Sequence, residues 1–276
     1  MKLGFCASTG RTATTFLAKT LDSLTGITAL HEGYDGKTHQ KPLLPLINIH
    51  NARAWRDASY ATELVTTMRD REHFVGLGIS SRICLDIAYY NAPLMSSLIS
   101  RHPDGYFIVM FRRCESFVQS ATVTRGEDLT PAGWPGVNKP LSPREQFIAM
   151  GRLKPEKGTK DAELWQNWSG ICRNIWLWAN VNQALINFVN TNKNSIVLFY
   201  EDLIERPEHF WKTCLEGLNY FSDGRLQQCL LASNEKVNKR KYYGIDPFAM
   251  WGAGEQNFYR TYAKPLEDEI YERRFN

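Results

Sequence analysis

The chain contains 276 residues, of which 43% are hydrophobic and 22% are charged, and this composition excludes a disordered or fibrous protein. A formal net charge of +4 is too small to predict a nucleic-acid partner, although it suits a small anionic ligand held in one cleft. No apolar run approaches membrane-spanning length, and the first ten residues lack the pattern of a signal peptide. We therefore expect a cytoplasmic protein with no membrane partner.

Metal-binding spacings are missing from the sequence. The six cysteines include no CxxC pair, and the nearest two, Cys214 and Cys229, lie 15 residues apart. The six histidines are also scattered, with no HExxH motif. We expect reduced, mostly buried thiols and no metal site.

Short strand-like runs alternate with longer helical segments along the chain. Helices are predicted at residues 14–24, 52–71, 85–101, 115–124, 162–190 and 207–218. The five predicted strands are Lys2–Ala7, Ile27–His31, His73–Ile79, Tyr106–Phe111 and Ser195–Tyr200. The last two contain consecutive apolar residues, which is typical of central strands covered on both faces. This alternation predicts an α/β fold with a mainly parallel, five-stranded sheet.

Two long segments interrupt this alternation, at residues 33–51 and 125–160. Loops of this length in a compact domain are usually functional, so we interpret both segments as candidate lids over an acceptor site. The sequence contains no internal repeat, no low-complexity run and no clear linker. We therefore expect residues 1–276 to form one domain.

The segment Ser8–Thr15, here called the anion loop, follows the first strand and opens the first helix. A loop of small and hydroxyl residues at this place exposes backbone N–H groups at a helix N-terminus, where anions bind. Gly10-Arg11-Thr12 is similar to the Gly-Lys-Thr end of a nucleoside-triphosphate P-loop, but Phe5 stands where the first glycine belongs. The alternative is a helix N-terminus capped by Thr12 that binds no ligand.

A second polar feature follows the predicted strand Tyr106–Phe111. Arg112 and Arg113 come directly after it, and Ser120 lies eight residues beyond Arg112 on the next helix. Because ligands bind at the carboxyl edge of a parallel sheet, Arg112 and Ser120 are candidates to hold a second phosphate. The alternative is that they are ordinary surface residues.

Three separated segments together resemble the sulfotransferases that use 3′-phosphoadenosine 5′-phosphosulfate (PAPS). Residues 11–15 resemble the family's 5′-phosphosulfate loop, Phe111–Ser120 its 3′-phosphate motif, and Leu198–Pro207 its Tyr-Glu-Asp-Leu segment. The resemblance implies a P-loop NTPase-like, three-layer α/β/α fold. It also implies metal-independent transfer of SO₃ from PAPS to a hydroxyl of a small-molecule or carbohydrate acceptor.

The resemblance assigns the 5′-phosphosulfate to the anion loop. The backbone N–H groups of Thr12, Ala13, Thr14 and Thr15, with the hydroxyls of the last two, are expected to bind the phosphate. Arg11 is expected near the bridging oxygen, where negative charge develops as the sulfuryl group leaves.

The resemblance assigns the rest of the nucleotide to later segments. Arg112 and Ser120 are expected to hold the 3′-phosphate, and Tyr200 the adenine side. The basic run Lys239-Arg240-Lys241 is expected to close over the 3′-phosphate, although such runs are more often solvated loops.

The sequence departs from the family pattern in ways that affect the acceptor side. Ala13 replaces the usual glycine, which asks for ordinary backbone angles there. The region expected after the third strand, Gly78–Arg82, contains no histidine, unlike phenol-type members. The chain therefore resembles bacterial and carbohydrate-type members, in which a glutamate often ends the second strand. Glu32 is the first candidate for the general base, and His31 is the second.

Two other functions are compatible with the same motifs. The first is a P-loop-type kinase that uses ATP, against which the missing first glycine and the 3′-phosphate motif both argue. The second is a nucleotide-binding protein without catalytic activity. The sequence does not identify the acceptor.

Overall fold

Five parallel strands form the centre of the molecule in the computed structural model, which describes residues 1–32, 48–76, 79–122, 150–236 and 248–275. The strands are β1 (Lys2–Ser8), β2 (Ile27–His31), β3 (Ile83–Ile87), β4 (Tyr106–Phe111) and β5 (Ile196–Phe199). Their order in the sheet is β2-β3-β1-β4-β5, and every neighbouring pair is parallel. All five carboxyl ends therefore lie along one edge of the sheet, with the end of β1 in the middle.

The third strand was predicted at the wrong place. Residues 73–76 of the predicted strand His73–Ile79 belong to the helix Arg71–Gly76, and β3 follows at Ile83–Ile87. The predicted helix 85–101 is correspondingly wrong at its start, since residues 89–94 form a 3-10 helix and only Met95–Arg101 is α-helical. The sequence pattern misleads here because β3 contains the buried Asp86, whereas strands of this kind are usually apolar throughout.

Helices cover both faces of the sheet. In the described ranges the α-helices, in chain order, are α1 (Thr14–Asp22), α2 (Asn48–Ala54), α3 (Ala58–Met68), α4 (Arg71–Gly76), α5 (Met95–Arg101), α6 (Cys114–Thr122), α7 (Lys160–Leu164), α8 (Gly170–Thr191), α9 (Tyr200–Glu205), α10 (Pro207–Gly217), α11 (Asp223–Lys236), α12 (Ala253–Tyr262) and α13 (Lys264–Glu272). None of these helices has the length and apolar character needed to cross a lipid bilayer. All six cysteines are buried, and none forms a disulfide.

Two apolar cores separate these layers. Along β1, Phe5 and Ala7 belong to the core that includes α3, α5, α6 and α8, whereas Cys6 belongs to the core that includes α1 and α10. This alternation follows from the two-residue period of a strand, which sends successive side chains to opposite faces. The predicted three-layer α/β/α fold is therefore confirmed.

Candidate functional site

The anion loop has an unusual backbone. Gly10, Arg11 and Ala13 adopt positive φ angles of 79°, 59° and 61°, and the Gly10 N–H donates to Ser8 Oγ at 3.0 Å. The expectation of ordinary backbone angles at Ala13 is therefore wrong, because the turn into α1 keeps its left-handed form without a glycine. Left-handed residues turn successive N–H groups toward one point, which creates a concave site for an anion.

The start of α1 carries no side-chain cap. Its N-cap residue is Ala13, whose methyl group cannot accept a hydrogen bond. Thr12, which the sequence offered as a cap, is instead fully buried, and its Oγ1 has no hydrogen-bond partner in the described part of the chain. The first-turn N–H groups of α1 therefore remain available to a ligand.

The two predicted phosphate motifs meet in space. Arg11 Nε donates to Ser120 Oγ at 3.1 Å, which joins residues 109 positions apart. Arg112, in turn, donates through Nη1 to the backbone carbonyl of Arg11. Arg112 and Ser120 are both buried, and Arg11 is half-buried. The end of β4 thus holds the anion loop from one side.

Arg112 is held by contacts that the sequence analysis did not identify. Its Nε donates to Ser116 Oγ at 2.8 Å, and its carbonyl accepts from Trp178 Nε1 at 2.8 Å. Its guanidinium lies 4.0 Å from the centre of the Tyr200 ring, so the predicted Tyr200 does reach this edge. The four-residue spacing of Ser116 and Ser120, about one turn of α6, is the signal that could have identified Ser116.

The last helix, α13, supports this edge from behind. Glu267 Oε1 accepts from the Cys114 N–H at 2.7 Å, and Glu201 Oε1 accepts from the Arg113 N–H at 3.0 Å. Glu201 also accepts from the Tyr271 hydroxyl, and burial raises the pKa of the Glu201 carboxyl. Glu201, singled out in the resemblance, therefore has a supporting role, because its carboxyl points to the backbone after β4.

His31 and Glu32 lie at the end of β2, on the opposite side of the anion loop. His31 Nε2 lies 3.2 Å from Thr14 Oγ1 and 3.1 Å from Thr15 Oγ1, and thus touches both predicted phosphate-binding hydroxyls. Burial lowers the pKa of His31, which favours the neutral ring. Glu32 lies 4.0 Å from His31 Nε2, has a positive φ of 52°, and leaves 40% of its side chain exposed. Glu32 is therefore the more accessible of the two candidate bases.

Tyr89, Tyr90 and Arg152 complete this side of the site, and sequence reasoning missed all three. The two tyrosine rings, just after β3, lie 4.1 Å apart between their centres. The Arg152 guanidinium lies 4.7 Å from the centre of the Tyr89 ring. Burial raises the pKa of both tyrosines, so both hydroxyls stay protonated at neutral pH. Arg152 escaped notice because it lies in the predicted lid segment 125–160, which has no recognisable pattern.

Other predicted features lie outside the described residues. These are the basic run Lys239-Arg240-Lys241 and most of the two candidate lids. Within the ranges that the structure describes, no group of three or more His, Cys, Asp or Glu side chains is arranged to hold a metal ion. The candidate site is therefore a loop of N–H donors between arginines on the β4 side and a carboxylate on the β2 side.

Two solved structures of sulfotransferases align with nearly the whole chain. The sulfotransferase from Alicyclobacillus acidocaldarius aligns over 98% of this chain and 96% of its own, with 13% sequence identity and a TM-score of 0.50. The sulfotransferase domain from the curacin biosynthetic pathway aligns over 99% and 96%, with 13% identity and a TM-score of 0.49. No protein-family profile and no curated protein matches the chain in sequence. The chain therefore has the fold of the Alicyclobacillus acidocaldarius sulfotransferase, as the sequence resemblance implied.

Proposed function

We propose that the protein is a sulfotransferase that takes a sulfuryl group from PAPS and transfers it to a hydroxyl of a small-molecule or carbohydrate acceptor. The observation that carries the proposal is the hydrogen bond from Arg11 Nε to Ser120 Oγ. It joins the two segments that resemble the 5′-phosphosulfate and 3′-phosphate motifs. The buried Thr12 hydroxyl, which has no partner among the described residues, and the uncapped start of α1 fit a bound phosphate.

The anion loop supplies the donors for the 5′-phosphate. PAPS, when bound, supplies an activated sulfuryl group whose departure leaves negative charge on that phosphate. The N–H groups of residues 12–15 and the hydroxyls of Thr14 and Thr15 are fixed beforehand, so they stabilise this charge without reorganising. Arg11, which belongs to the same loop, adds a positive charge. A metal ion is not needed for this stabilisation.

Arg112 and Ser120 are proposed to bind the 3′-phosphate. Both are buried at the carboxyl end of β4, and the Tyr200 ring packs against the Arg112 guanidinium. The same ring offers a flat apolar surface on the adenine side. Lys239 and Arg240 are proposed to complete the phosphate site from the chain that follows α11.

Glu32 is proposed as the general base. In the transfer, the S–O bond to the nucleotide phosphate breaks, a new S–O bond to the acceptor oxygen forms, and the hydroxyl proton passes to the Glu32 carboxylate. His31 is the weaker candidate because its Nε2 is already in contact with the Thr14 and Thr15 hydroxyls. We propose instead that His31 holds these two hydroxyls in position.

Nucleotide selectivity tests the proposal. Calorimetric titration with adenosine 3′,5′-bisphosphate and with ADP should give much tighter binding of the first, because only it carries the 3′-phosphate. Arg112→Ala should weaken the bisphosphate by about 1.5–3 kcal/mol, the usual worth of a charged hydrogen bond. It should weaken ADP by less, because ADP loses only the support that Arg112 gives to the anion loop. Equal affinity for both nucleotides in the wild-type protein would contradict the proposal.

Transfer of labelled sulfate from PAPS to a panel of hydroxyl acceptors then tests for catalysis. Sulfuryl transfer should persist in EDTA. If the protein instead transfers phosphate from ATP, and does so only with magnesium, it is a kinase. Tight binding of the bisphosphate without transfer to any acceptor would favour a non-catalytic nucleotide-binding protein.

A further inference from the structure

Arg152 is a buried arginine with an unusual set of contacts. Only 7% of the residue is exposed, and its Nε has no hydrogen-bond partner in the part of the chain that the structure describes. No ion pair to it is found within the same ranges. Its described contact is the face of the Tyr89 ring, at 4.7 Å. A ring face offsets little of the cost of removing a guanidinium from water.

Arg152 lies against the anion loop. An ideal Cβ built on Gly10 would lie 3.9 Å from Arg152 Nη1 and 3.7 Å from Tyr89 Cβ. Position 10 therefore brings bare backbone close to the guanidinium, and the positive φ of 79° there favours glycine for a second reason. The cation is thus held beside the same loop that carries the N–H donors.

The sheet order places Arg152 on the acceptor side of this loop. β1 lies between β4, which carries Arg112, and β3, which leads into Tyr89. Beyond β3 lies β2, which ends beside Glu32. Arg152 therefore stands on the side of the loop that faces the proposed base, opposite the cation proposed for the 3′-phosphate. A group passing from donor to acceptor has to lie between the loop and Glu32.

We propose that Arg152 binds an oxygen of the sulfuryl group of the donor. This inference rests on the proposed function, and it adds a residue that distinguishes the sulfated nucleotide from its desulfated product. A sulfuryl oxygen supplies the anionic acceptor that a buried guanidinium requires. Because the product nucleotide lacks this oxygen, Arg152 holds the donor more tightly than it holds the product.

The experiment measures the affinity of each Arg152 variant for the sulfated donor and for the desulfated product. Arg152→Met keeps the length and apolar stem of the side chain and removes the charge, while Arg152→Lys keeps the charge. Both are titrated with PAPS and with adenosine 3′,5′-bisphosphate, without acceptor. Arg152→Met should weaken PAPS by about 10- to 100-fold and leave the bisphosphate unchanged, and Arg152→Lys should recover part of the loss. The control is Lys157→Met, which changes an exposed lysine of the same segment and should leave both affinities unchanged.

The ratio of the two affinities decides the question, because partial misfolding would reduce both titrations alike. Equal weakening of both nucleotides, or no weakening of either, would overturn the role given to Arg152. If PAPS binding is unchanged and only the KM of acidic acceptors rises, the guanidinium binds the acceptor and the inference is wrong. A wild-type protein that binds neither nucleotide would contradict the proposed function itself, and the inference with it.

Discussion

Arg69 and Arg152 are both buried, yet they stand in opposite surroundings. Arg69 is 1% exposed, and its Nε donates to Asp86 Oδ2 at 2.7 Å inside the layer between α3 and β3. Arg152 is 7% exposed and faces a tyrosine ring and the backbone of Gly10. Asp86 compensates the charge of Arg69 inside the fold, whereas the charge of Arg152 suits an anion from outside it. Within the described residues, the charge of Arg69 is paired with a carboxylate and the charge of Arg152 is not.

The backbone shows the same contrast. Four non-glycine residues in the described ranges have positive φ angles, and three of them, Arg11, Ala13 and Glu32, lie in the candidate site. Such conformations cost energy for residues with a side chain, and they persist only where the surroundings hold them. The site therefore concentrates backbone strain, which the rest of the fold must support.

The largest expected effect is a loss of turnover without a loss of stability, on changing the proposed base. Glu32→Gln keeps the shape of the side chain and removes the proton acceptor, so it should lower kcat by about 10²–10⁴-fold. Nucleotide affinity and the free energy of unfolding should stay near wild-type values. Steady-state kinetics, calorimetry and denaturant unfolding measure the three quantities.

His31→Asn serves as the comparison for that variant. If Glu32→Gln keeps near-normal turnover while His31→Asn abolishes it, the base is His31. If both remain active, the acceptor hydroxyl is acidic enough to react without a base, as a phenol is.

Breaking the buried ion pair between Arg69 and Asp86 should have the opposite effect, a loss of stability without a change in nucleotide selectivity. Arg69→Met leaves Asp86 buried without its cation, so it should lower the free energy of unfolding by about 3–5 kcal/mol. The ratio of PAPS to bisphosphate affinity should not change in the protein that remains folded. Urea unfolding monitored by tryptophan fluorescence gives the first quantity, and the double variant with Asp86→Leu should recover much of the loss. An Arg69→Met protein as stable as wild type would remove the contrast with Arg152.

A smaller effect concerns pH. Because burial lowers the pKa of His31, the folded protein resists protonation at a pH where the unfolded chain takes up a proton. The contribution of His31 to stability is therefore complete above its ordinary pKa of about 6.5 and is lost as the pH falls through the lower, folded value. In His31→Asn the decline in stability below about pH 6.5 should be shallower. Unfolding curves of both proteins across this range test the assignment, which an unchanged slope would contradict.

The smallest expected effect is a gain in stability. Ala13 has φ 61° and ψ 24°, a conformation that glycine adopts without steric cost. Ala13→Gly should raise the free energy of unfolding by roughly 0.5–1 kcal/mol, because relief of strain is partly offset by a more flexible unfolded chain. Denaturant unfolding measures the change. A loss of stability would mean that the methyl group contributes packing worth more than the strain.

The sequence was a good guide to the fold where a segment satisfies itself locally. β2 and β4 have the predicted bounds, β1 is one residue longer at its end, and β5 is one residue shorter at each end. The prediction of β3 failed because Arg69, the partner that stabilises Asp86 inside a strand, comes from a different element. The local sequence pattern around Asp86 does not reveal such a partner.

The same limit applies to the candidate site. Sequence resemblance placed Arg11, Arg112 and Ser120 on one edge, and the structure brings these three residues into contact. It did not find Arg152, which reaches the loop from a segment without secondary-structure signal. The left-handed backbone of Ala13 also escaped prediction, since alanine by itself favours ordinary angles.

The contacts of α13 have a consequence for how the candidate site is assembled during synthesis. Glu267 binds the backbone of Cys114, which lies 153 residues earlier, and Tyr271 reaches Glu201. The segment that carries Arg112 therefore gains these hydrogen bonds only after residues 267–271 have left the ribosome. An incomplete chain contains both phosphate motifs in its sequence but not the support that orients the second one. Nucleotide binding should thus require α13, and a chain truncated before Lys264 tests this requirement.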